Sequence, residues 1–235
     1  MRIVSWNCAQ KLDAKYEALL ALKPDIAIIP ECAEPDILMK KAPGFRYSDC
    51  EWQGDLKDKG LGVFAFNGHS LRRHQSWDRD FHIFLPIEVR GPITINLLAL
   101  WAFNHRAPKK AVKNPVTTSK ALDYYSSFLR AHSAVVAGDF NANVNWDRES
   151  RDHKFAPVDS ALRKLGLQSA YHAATGDLLG AETKPTIWFQ KNVKKSYHID
   201  YVYVDRNVAG LKASIGDASA WLKHSDHAPV IIDIT

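Results

Sequence analysis

Short apolar runs that each end in a polar or charged residue recur five times along this chain, and they constrain its fold more than any other feature. Such runs, rich in β-branched residues, are typical of buried strands. The polar groups that follow or end them are Asn7; Glu31; Asp139 with Asn141; His198 with Asp200; and Ser225 with Asp226 and His227. Charged groups beside a buried strand are costly unless partners or a function satisfy them. We therefore expect the five groups to converge at the strand ends of one pair of sheets.

The apolar pattern predicts both strands and helices along the whole chain. Ten strands are predicted over residues 1–6, 25–30, 45–52, 61–67, 82–89, 94–101, 133–137, 186–190, 198–204 and 230–234. Four helices are predicted over residues 13–22, 35–41, 115–131 and 158–165. Because strands outnumber helices and both types are spread through the sequence, we predict one α/β domain over residues 1–235. Its sheets are expected to be mainly antiparallel and flanked by helices.

The composition indicates the redox state and the cellular location of the protein, but it does not identify a binding partner. The 235 residues carry a formal charge of +5, which suits a polyanionic partner, although a solvated basic surface gives the same value. Three cysteines without a C-x-x-C spacing indicate reduced thiols. The sequence shows no secretory signal and no apolar run near the ~20 residues that span a membrane. We therefore expect a cytoplasmic monomer without an obligate protein partner or a membrane association.

The residue types at the five strand ends suit the hydrolysis of a phosphate ester. Carboxylates such as Glu31 and Asp226 are hard oxygen ligands, which Mg²⁺ and Mn²⁺ prefer. Amides such as Asn7 and Asn141 can orient a carboxylate or donate to a developing oxyanion. The imidazole of His227 can contact a phosphate, or pair with a carboxylate that fixes its tautomer.

Five motifs, in this order, resemble those of the endonuclease/exonuclease/phosphatase superfamily, whose members have the DNase I-like fold. The motifs span residues 6–229 and are Trp6-Asn7, Pro30-Glu31, Gly138-Asp139-Phe140-Asn141, Ile199-Asp200-Tyr201 and Ser225-Asp226-His227. The resemblance implies a four-layered α/β sandwich, with two packed sheets between helices. It also implies a metal-dependent phosphoesterase.

The resemblance assigns the metal ligands to two acids. Glu31 would bind the ion, with support from Asn7, and Asp226 would be a second ligand or lie close to it. Mg²⁺ is the expected cofactor, and Mn²⁺ is the expected substitute. The number of ions stays open.

The resemblance also assigns the catalytic roles. Asp139 would orient or deprotonate the attacking water, or protonate the leaving oxygen, and Asn141 would stabilise the transition state. His227 would contact the scissile phosphate, with Asp200 as its carboxylate partner. A metal ion and an imidazolium both neutralise the charge that grows on phosphoryl oxygens.

Two departures from the superfamily pattern leave the substrate open. Trp101 stands at a strand end where many members have His or Tyr, and an indole cannot replace either as an acid. Asn104 or His105 can reach in from the following basic loop. His198 stands where the nucleases of the superfamily often have Arg.

Basic and aromatic residues flank the expected site and suit nucleic acid. Basic stretches occur at residues 72–74, 106–113 and 191–195, with tryptophans near them. The alternation of side chains along a strand places only one of Trp188 and Phe189 inward. The residues expected to contact substrate are Trp101, His105, Trp188 and His198.

Three functions are compatible with these residues. The first is a nuclease that acts on DNA or RNA. The second is a phosphatase or phosphodiesterase for a small or lipid phosphate, and the third is a non-catalytic nucleic-acid-binding module. Whether cleavage is internal or terminal is open.

Overall fold

The structure is a computed structural model that describes residues 1–102, 117–149 and 154–235. Its strands, in chain order, are β1 (Arg2–Ser5), β2 (Ile26–Cys32), β3 (Asp49–Leu56), β4 (Lys59–Ala65), β5 (Ser70–Arg73), β6 (Phe84–Arg90), β7 (Ile95–Trp101), β8 (Ala134–Asp139), β9 (Leu167–Ser169), β10 (Ile187–Trp188), β11 (Ser196–Tyr197), β12 (Asp200–Asp205), β13 (Lys212–Ile215) and β14 (Val230–Asp233). Its α-helices are α1 (Tyr16–Leu20), α2 (Pro35–Lys41), α3 (Thr118–Tyr124), α4 (Ser126–Ala131), α5 (Phe155–Lys164), α6 (Ala170–Thr175) and α7 (Ala218–Trp221). Within these described ranges, no helix has the length and apolar character needed to cross a membrane.

Two six-stranded sheets form the body of the protein. Their strand orders are β13-β14-β1-β2-β4-β3 and β5-β6-β7-β8-β12-β9, and β10 pairs separately with β11. Each sheet has one parallel pair at its centre, β1 with β2 and β7 with β8, and the other pairs are antiparallel. The prediction of mainly antiparallel sheets is confirmed. Within each parallel pair, the carboxyl ends of both strands lie at the same edge.

Three clusters of buried hydrophobic residues define four layers. The largest cluster lies between the sheets and includes Ile28 and Val63 from one and Leu97 and Val202 from the other. A second cluster packs α3, α4 and α5 on the outer face of the second sheet. A third packs α1, α2 and α7 on the outer face of the first sheet. The predicted α/β sandwich of two sheets between helices is confirmed.

The predicted helices differ from the observed ones where the backbone leaves helical geometry. The helix predicted over residues 13–22 is a 3-10 turn, Leu12–Ala14, followed by the short α1, because Lys15 between them has φ −136°. Residues 115 and 116 of the helix predicted over 115–131 lie outside the described residues. The rest forms α3 and α4, which Tyr125 separates at φ −86° and ψ 7°.

Several strands begin or end at residues other than the predicted ones. Strand β10 covers only two residues of the predicted 186–190, because Gln190 has φ 56° and the chain turns there. Strand β12 begins at Asp200, two residues after the predicted start, and β3 runs from Asp49 instead of from residue 45. The missed strands β5, β9, β11 and β13 are all edge strands. Edge strands often carry polar residues, so they lack the apolar run that identifies central strands.

Gly138 is the position in the fold where a side chain is least tolerable. It has φ 146°, and a Cβ atom added there would lie 1.8 Å from the carbonyl oxygen of Leu100 in the neighbouring strand. We expect Gly138→Ala to lower the free energy of unfolding by at least about 2 kcal/mol. Gly166→Ala is the matched control, because its φ is also positive, at 86°, but no atom lies within 4 Å of the added Cβ.

Urea denaturation of the two variants measures the difference. The control is expected to lose only about 1 kcal/mol, the cost of a left-handed backbone for alanine. Equal losses for the two variants would contradict the steric argument.

Candidate active site

Two aspartates and a histidine form the centre of the candidate site. Asp139 at the end of β8 and Asp200 at the start of β12 are directly paired across the sheet. His227 approaches them from the segment that precedes β14. One ligand atom from each of the three side chains lies within 4.8 Å of the others, and all three residues are buried. Residues far apart in the sequence thus converge as expected.

Asn7 connects this centre to Glu31. The two residues come side by side because they follow or end the parallel strands β1 and β2. The Nδ2 group of Asn7 donates to Oδ2 of Asp139 at 2.9 Å and lies 3.3 Å from Oε1 of Glu31. Its Oδ1 accepts from the backbone N–H of Ala9 at 2.9 Å, which fixes the amide with its NH₂ toward the acids. Asn7 therefore orients both carboxylates.

A β-bulge turns Glu31 toward the site. The pairing of β2 with β4 shifts register between Pro30 and Cys32, and Glu31 has φ 62°. An extra residue at a bulge points its side chain away from the regular alternation of the strand. The second carboxylate oxygen of Glu31, Oε2, lies 3.1 Å from Nζ of Lys59.

Asp139 is buried but well supplied with donors. The backbone N–H of Asn141 donates to Oδ1 at 2.9 Å, and the Asn141 side-chain amide donates to Oδ2 at 3.0 Å. That amide also donates to the carbonyl oxygen of Ala102 at 2.6 Å, so its position is fixed. Burial, with the nearby charge of Asp200, raises the pKa of Asp139 to about 7, although His227 and the amides oppose the shift. A pKa near neutrality suits a group that transfers protons.

His227 and Asp200 form a buried pair. Nδ1 of His227 lies 2.9 Å from Oδ2 of Asp200, which leaves Nε2 as the other functional edge of the ring. The backbone holds the histidine in place, because its N–H donates to Oγ of Ser225 at 3.0 Å and its carbonyl accepts from Nε1 of Trp6 at 3.1 Å. The predicted pairing of imidazole and carboxylate is thus present in the structure.

Charge in this pair favours the imidazolium. Burial by itself lowers the pKa of His227, but the charge and hydrogen bond of Asp200, together with the charges of Asp139 and Asp226, raise it to about 10. A protonated His227 can donate from both ring nitrogens.

The acids of the site fit a divalent metal ion. Oδ1 of Asp200 is buried and has no hydrogen-bond partner among the described residues. Asp200 also belongs to the cluster in which one ligand atom of each residue lies within 4.8 Å of the others. Neither of the predicted ligands, Glu31 and Asp226, belongs to this cluster. Glu31 is joined to it through Asn7, and Asp226 directly precedes His227 in the chain. Carboxylate oxygens are the donors that Mg²⁺ and Mn²⁺ prefer.

Two of the predicted substrate contacts are tryptophans at the rim of the cluster. Trp101, at the end of β7, pairs with Asp139 in the neighbouring parallel strand and is mostly buried. Trp188 is also buried, and its backbone N–H donates to the carbonyl oxygen of Asp226 at 2.8 Å. Phe189 is 49% exposed, so only one of these two neighbouring aromatic residues is buried, as predicted. The reason differs from the predicted strand alternation, because β10 ends at Trp188 and Phe189 begins a 3-10 turn.

Of the two histidines predicted to contact substrate, the structure describes only His198. His198 is buried behind the strand of Asp200, where Nδ1 bonds the carbonyl oxygen of Lys184 at 2.9 Å. Its ring packs against those of Tyr171 and Tyr201. His105, like the neighbouring Asn104, lies outside the described residues.

Thr186 is a supporting residue that sequence reasoning missed. Its Oγ1 accepts from the backbone N–H groups of Ile199 at 2.9 Å and Asp200 at 3.0 Å. Its carbonyl oxygen accepts from the N–H of Ala228 at 2.8 Å. Thr186 therefore ties the strand of Asp200 to the segment that carries His227. A single threonine at the start of the predicted strand gives no sign of this role in the sequence.

Comparison with known proteins gives matches only among solved structures. No protein-family model and no curated protein sequence matches the chain. The 3′-5′ exonuclease NExo from Neisseria meningitidis has a TM-score of 0.73 and 19% identity, with 100% of this chain and 99% of that chain covered. A second Neisseria NExo structure, described as a 3′ phosphatase bound to a product DNA hairpin, has a TM-score of 0.72, with the same identity and coverage.

Two further structures extend this likeness. An AP endonuclease from Archaeoglobus fulgidus has a TM-score of 0.69 and 16% identity. An endonuclease/exonuclease/phosphatase family protein from Leptotrichia buccalis has a TM-score of 0.64 and 13% identity. Both cover 100% of this chain and 99% of their own. The likeness shows that the chain has the DNase I-like fold, as the motifs predicted.

Proposed function

We propose that this protein is a divalent-metal-dependent phosphoesterase that hydrolyses a phosphodiester bond in DNA or RNA. The observation that carries the proposal is the convergence of Asp139, Asp200 and His227 within 4.8 Å, linked by Asn7 to Glu31. Five separate parts of the chain supply a proton-transfer group, a cationic donor and metal ligands. Metal-assisted hydrolysis of a phosphate ester uses these three kinds of group.

In this proposal Glu31 and Asp226 hold Mg²⁺, with Mn²⁺ as a substitute. The ion, when bound, supplies positive charge that stabilises the phosphoryl oxygens. Asn7 supports Glu31 through the contact of its Nδ2 group with Oε1. Two carboxylates supply only oxygen donors, and such donors favour this class of metal ion.

The catalytic steps follow from the hydrogen bonds. Asp139, held by Asn7 and Asn141, orients a water molecule and accepts its proton as the water attacks phosphorus. The bond from phosphorus to the leaving oxygen breaks as the new bond forms, and the leaving oxygen takes a proton from solvent water. His227, fixed at Nδ1 by Asp200, donates from Nε2 to a non-bridging phosphate oxygen. The imidazolium then stabilises the charge that develops in the transition state. The Asn141 amide donates to Ala102 and Asp139, so it acts by holding Asp139 in position.

Three observations support nucleic acid as the substrate: the lysines of one hairpin, the exposed aromatic rings beside them, and the structural similarity to NExo. The hairpin between β10 and β11 is exposed throughout residues 191–197 and carries Lys191, Lys194 and Lys195 beside the exposed rings of Phe189 and Tyr197. Lysines attract a phosphate backbone, and exposed aromatic rings can stack on bases. NExo is described as an exonuclease, and one of its structures contains a DNA product.

A second candidate function is the removal of a phosphate from a small molecule or a chain end. Its support is the description of NExo as a 3′ phosphatase. The same acids and histidine would serve, since water attacks phosphorus and charge develops on the phosphoryl oxygens in both monoesters and diesters. A non-catalytic nucleic-acid-binding module is the third possibility, and the complete acid, amide and histidine set argues against it.

A substrate panel separates these functions and tests the metal requirement. Plasmid DNA, RNA, abasic DNA, mononucleotides and a chromogenic phosphate ester are each incubated with Mg²⁺, Mn²⁺ or a chelator. We expect cleavage of DNA or RNA with either ion, loss of that cleavage with chelator, and binding that weakens steeply with salt. Hydrolysis of the small esters alone would favour the second candidate. Binding without any turnover would favour the third.

The remaining sequence-based expectations belong to this proposal. We propose that residues 1–235 act as one domain and that the protein is a cytoplasmic monomer. The free state of Cys8, Cys32 and Cys50 supports a reducing location. Burial raises the pKa of Cys8 to about 12 and that of Cys32 well above its usual value, so these two thiols are unreactive core residues.

A further inference from the structure

Lys59 places a positive charge between the two sheets at the candidate site. It is the first residue of β4 in the first sheet, and its Nζ lies 3.1 Å from Oε2 of Glu31. The same ammonium group lies 5.1 Å from the ring centroid of Trp101, at the end of β7 in the second sheet. The Lys59 side chain is 32% exposed and that of Glu31 is 20% exposed, so water screens this pair only in part.

Both carboxylate oxygens of Glu31 have partners in the structure. Oε1 lies 3.3 Å from the Asn7 amide, and Oε2 is paired with Lys59. Asn7 is buried and also bonded to Asp139, whereas Lys59 has a flexible stem and reaches solvent. A metal ion that binds Glu31 therefore displaces Lys59 more readily than it displaces Asn7.

Trp101 determines where a displaced Lys59 goes. An ammonium group is attracted to the face of an indole ring, and this attraction does not depend on Glu31. Trp101 neighbours Asp139 in the parallel pair of β7 and β8. A lysine that leaves Glu31 but stays over Trp101 remains at the mouth of the site, within reach of a phosphate near Asp139.

We propose that Lys59 occupies the metal position at Glu31 in the resting protein and turns to the substrate phosphate when a metal ion binds. This inference rests on the proposed function, since it takes Glu31 as a metal ligand and a phosphate ester as the substrate. The exchange keeps Glu31 neutralised in both states. It also delivers one further cation to the phosphate only when the metal ion is present.

The neighbouring Lys57 shows that Lys59 differs from an ordinary surface lysine. Lys57 lies two residues earlier in the same hairpin and pairs with Glu34 at 3.7 Å, with 81% of its side chain exposed. Exposed pairs of this kind contribute little because water screens them. Lys57→Met is therefore a matched control, which removes the same charge from the same hairpin without touching Glu31.

The first test measures Mn²⁺ binding to the substrate-free protein by electron paramagnetic resonance. We expect Lys59→Met to bind Mn²⁺ tighter than wild type by about threefold or more, because the competing cation is gone. Lys57→Met and Lys59→Arg are expected to match wild type. Unchanged or weaker Mn²⁺ binding by Lys59→Met would overturn the proposal that the metal ion displaces Lys59 from Glu31.

The second test measures kcat/KM with the best nucleic-acid substrate at saturating Mg²⁺. We expect Lys59→Met to lose about tenfold or more, while Lys57→Met stays at the wild-type value. An unchanged kcat/KM for Lys59→Met would overturn the phosphate contact. A wild-type protein that cleaves no substrate would overturn both the proposed function and the contact of Lys59 with the phosphate. The Mn²⁺ comparison needs no turnover, so it still decides whether the metal ion displaces Lys59 from Glu31.

Discussion

Asp139→Ala is expected to lower kcat by a factor of about 10³ or more, with the protein still folded. The carboxylate of Asp139 is held by Asn7 and Asn141 and faces Asp200 and His227, so its loss removes the proposed water-activating group. The measurement is kcat on the best substrate of the panel, with circular dichroism to check folding.

The fold is expected to tolerate this loss for an electrostatic reason. Burial and the charge of Asp200 raise the pKa of Asp139, which means that the ionised form is unfavourable in the folded protein. Alanine removes that unfavourable charge and so offsets part of the lost hydrogen bonding. Asp139→Asn is a second variant that preserves the shape of the side chain.

The control for Asp139 is Asp123→Ala, which removes an exposed acid from α3. It is expected to keep wild-type activity. A folded Asp139→Ala protein with wild-type turnover would show that the cluster does not perform the chemistry.

His227→Ala is expected to lower the free energy of unfolding by about 3 to 5 kcal/mol at pH 7. Asp200 is almost fully buried, and Nδ1 of His227 is its charged partner, at 2.9 Å. The other carboxylate oxygen of Asp200, Oδ1, has no hydrogen-bond partner among the described residues. Removal of the histidine therefore leaves a buried, uncompensated carboxylate. The measurement is urea denaturation in the presence of a chelator.

The pH dependence of the same experiment identifies the source of the loss. The pKa of His227 is raised from 6.5 to about 10, so its stabilisation is present in full below pH 6.5 and is lost as the pH rises through about 10. The pKa of Asp139 is raised to about 7, so its titration changes the free energy of unfolding mainly below pH 7. We expect the difference between wild type and His227→Ala to shrink between pH 7 and pH 10.

His132→Ala provides the control for histidine loss, since His132 is exposed. It is expected to be as stable as wild type at both pH values. A difference between wild type and His227→Ala that stays constant from pH 7 to pH 10 would argue against an ionised pair with Asp200.

The sequence predicted which residues meet because each motif follows or ends a central strand. The runs before Asn7, Glu31 and Asp139 are short, apolar and rich in β-branched residues, which favours a buried strand over a helix. The contacts of Asn7 with Glu31 and Asp139, and of Asp200 with His227, are present in the structure. The roles given to these residues stay predictions until the variants are measured.

Supporting contacts between distant polar residues could not be predicted from the sequence. Lys59 lies in a hairpin with other lysines, and only the bulge at Glu31 brings the two side chains together. The role of Thr186 depends on the meeting of three segments, which a local pattern does not encode. The burial of His198 likewise depends on α6 and the loop after it, which carried no recognisable signal.

The position of β14 has a consequence for protein synthesis. This strand lies between β13 and β1, where Ser5 pairs with Val230, and it directly follows the segment with His227. A nascent chain on the ribosome that ends before His227 has Asn7, Glu31 and Asp139 but neither the imidazole nor the strand that closes the first sheet. The cluster of Asp139, Asp200 and His227 is therefore complete only after these late residues have emerged from the ribosome and β14 has joined the first sheet.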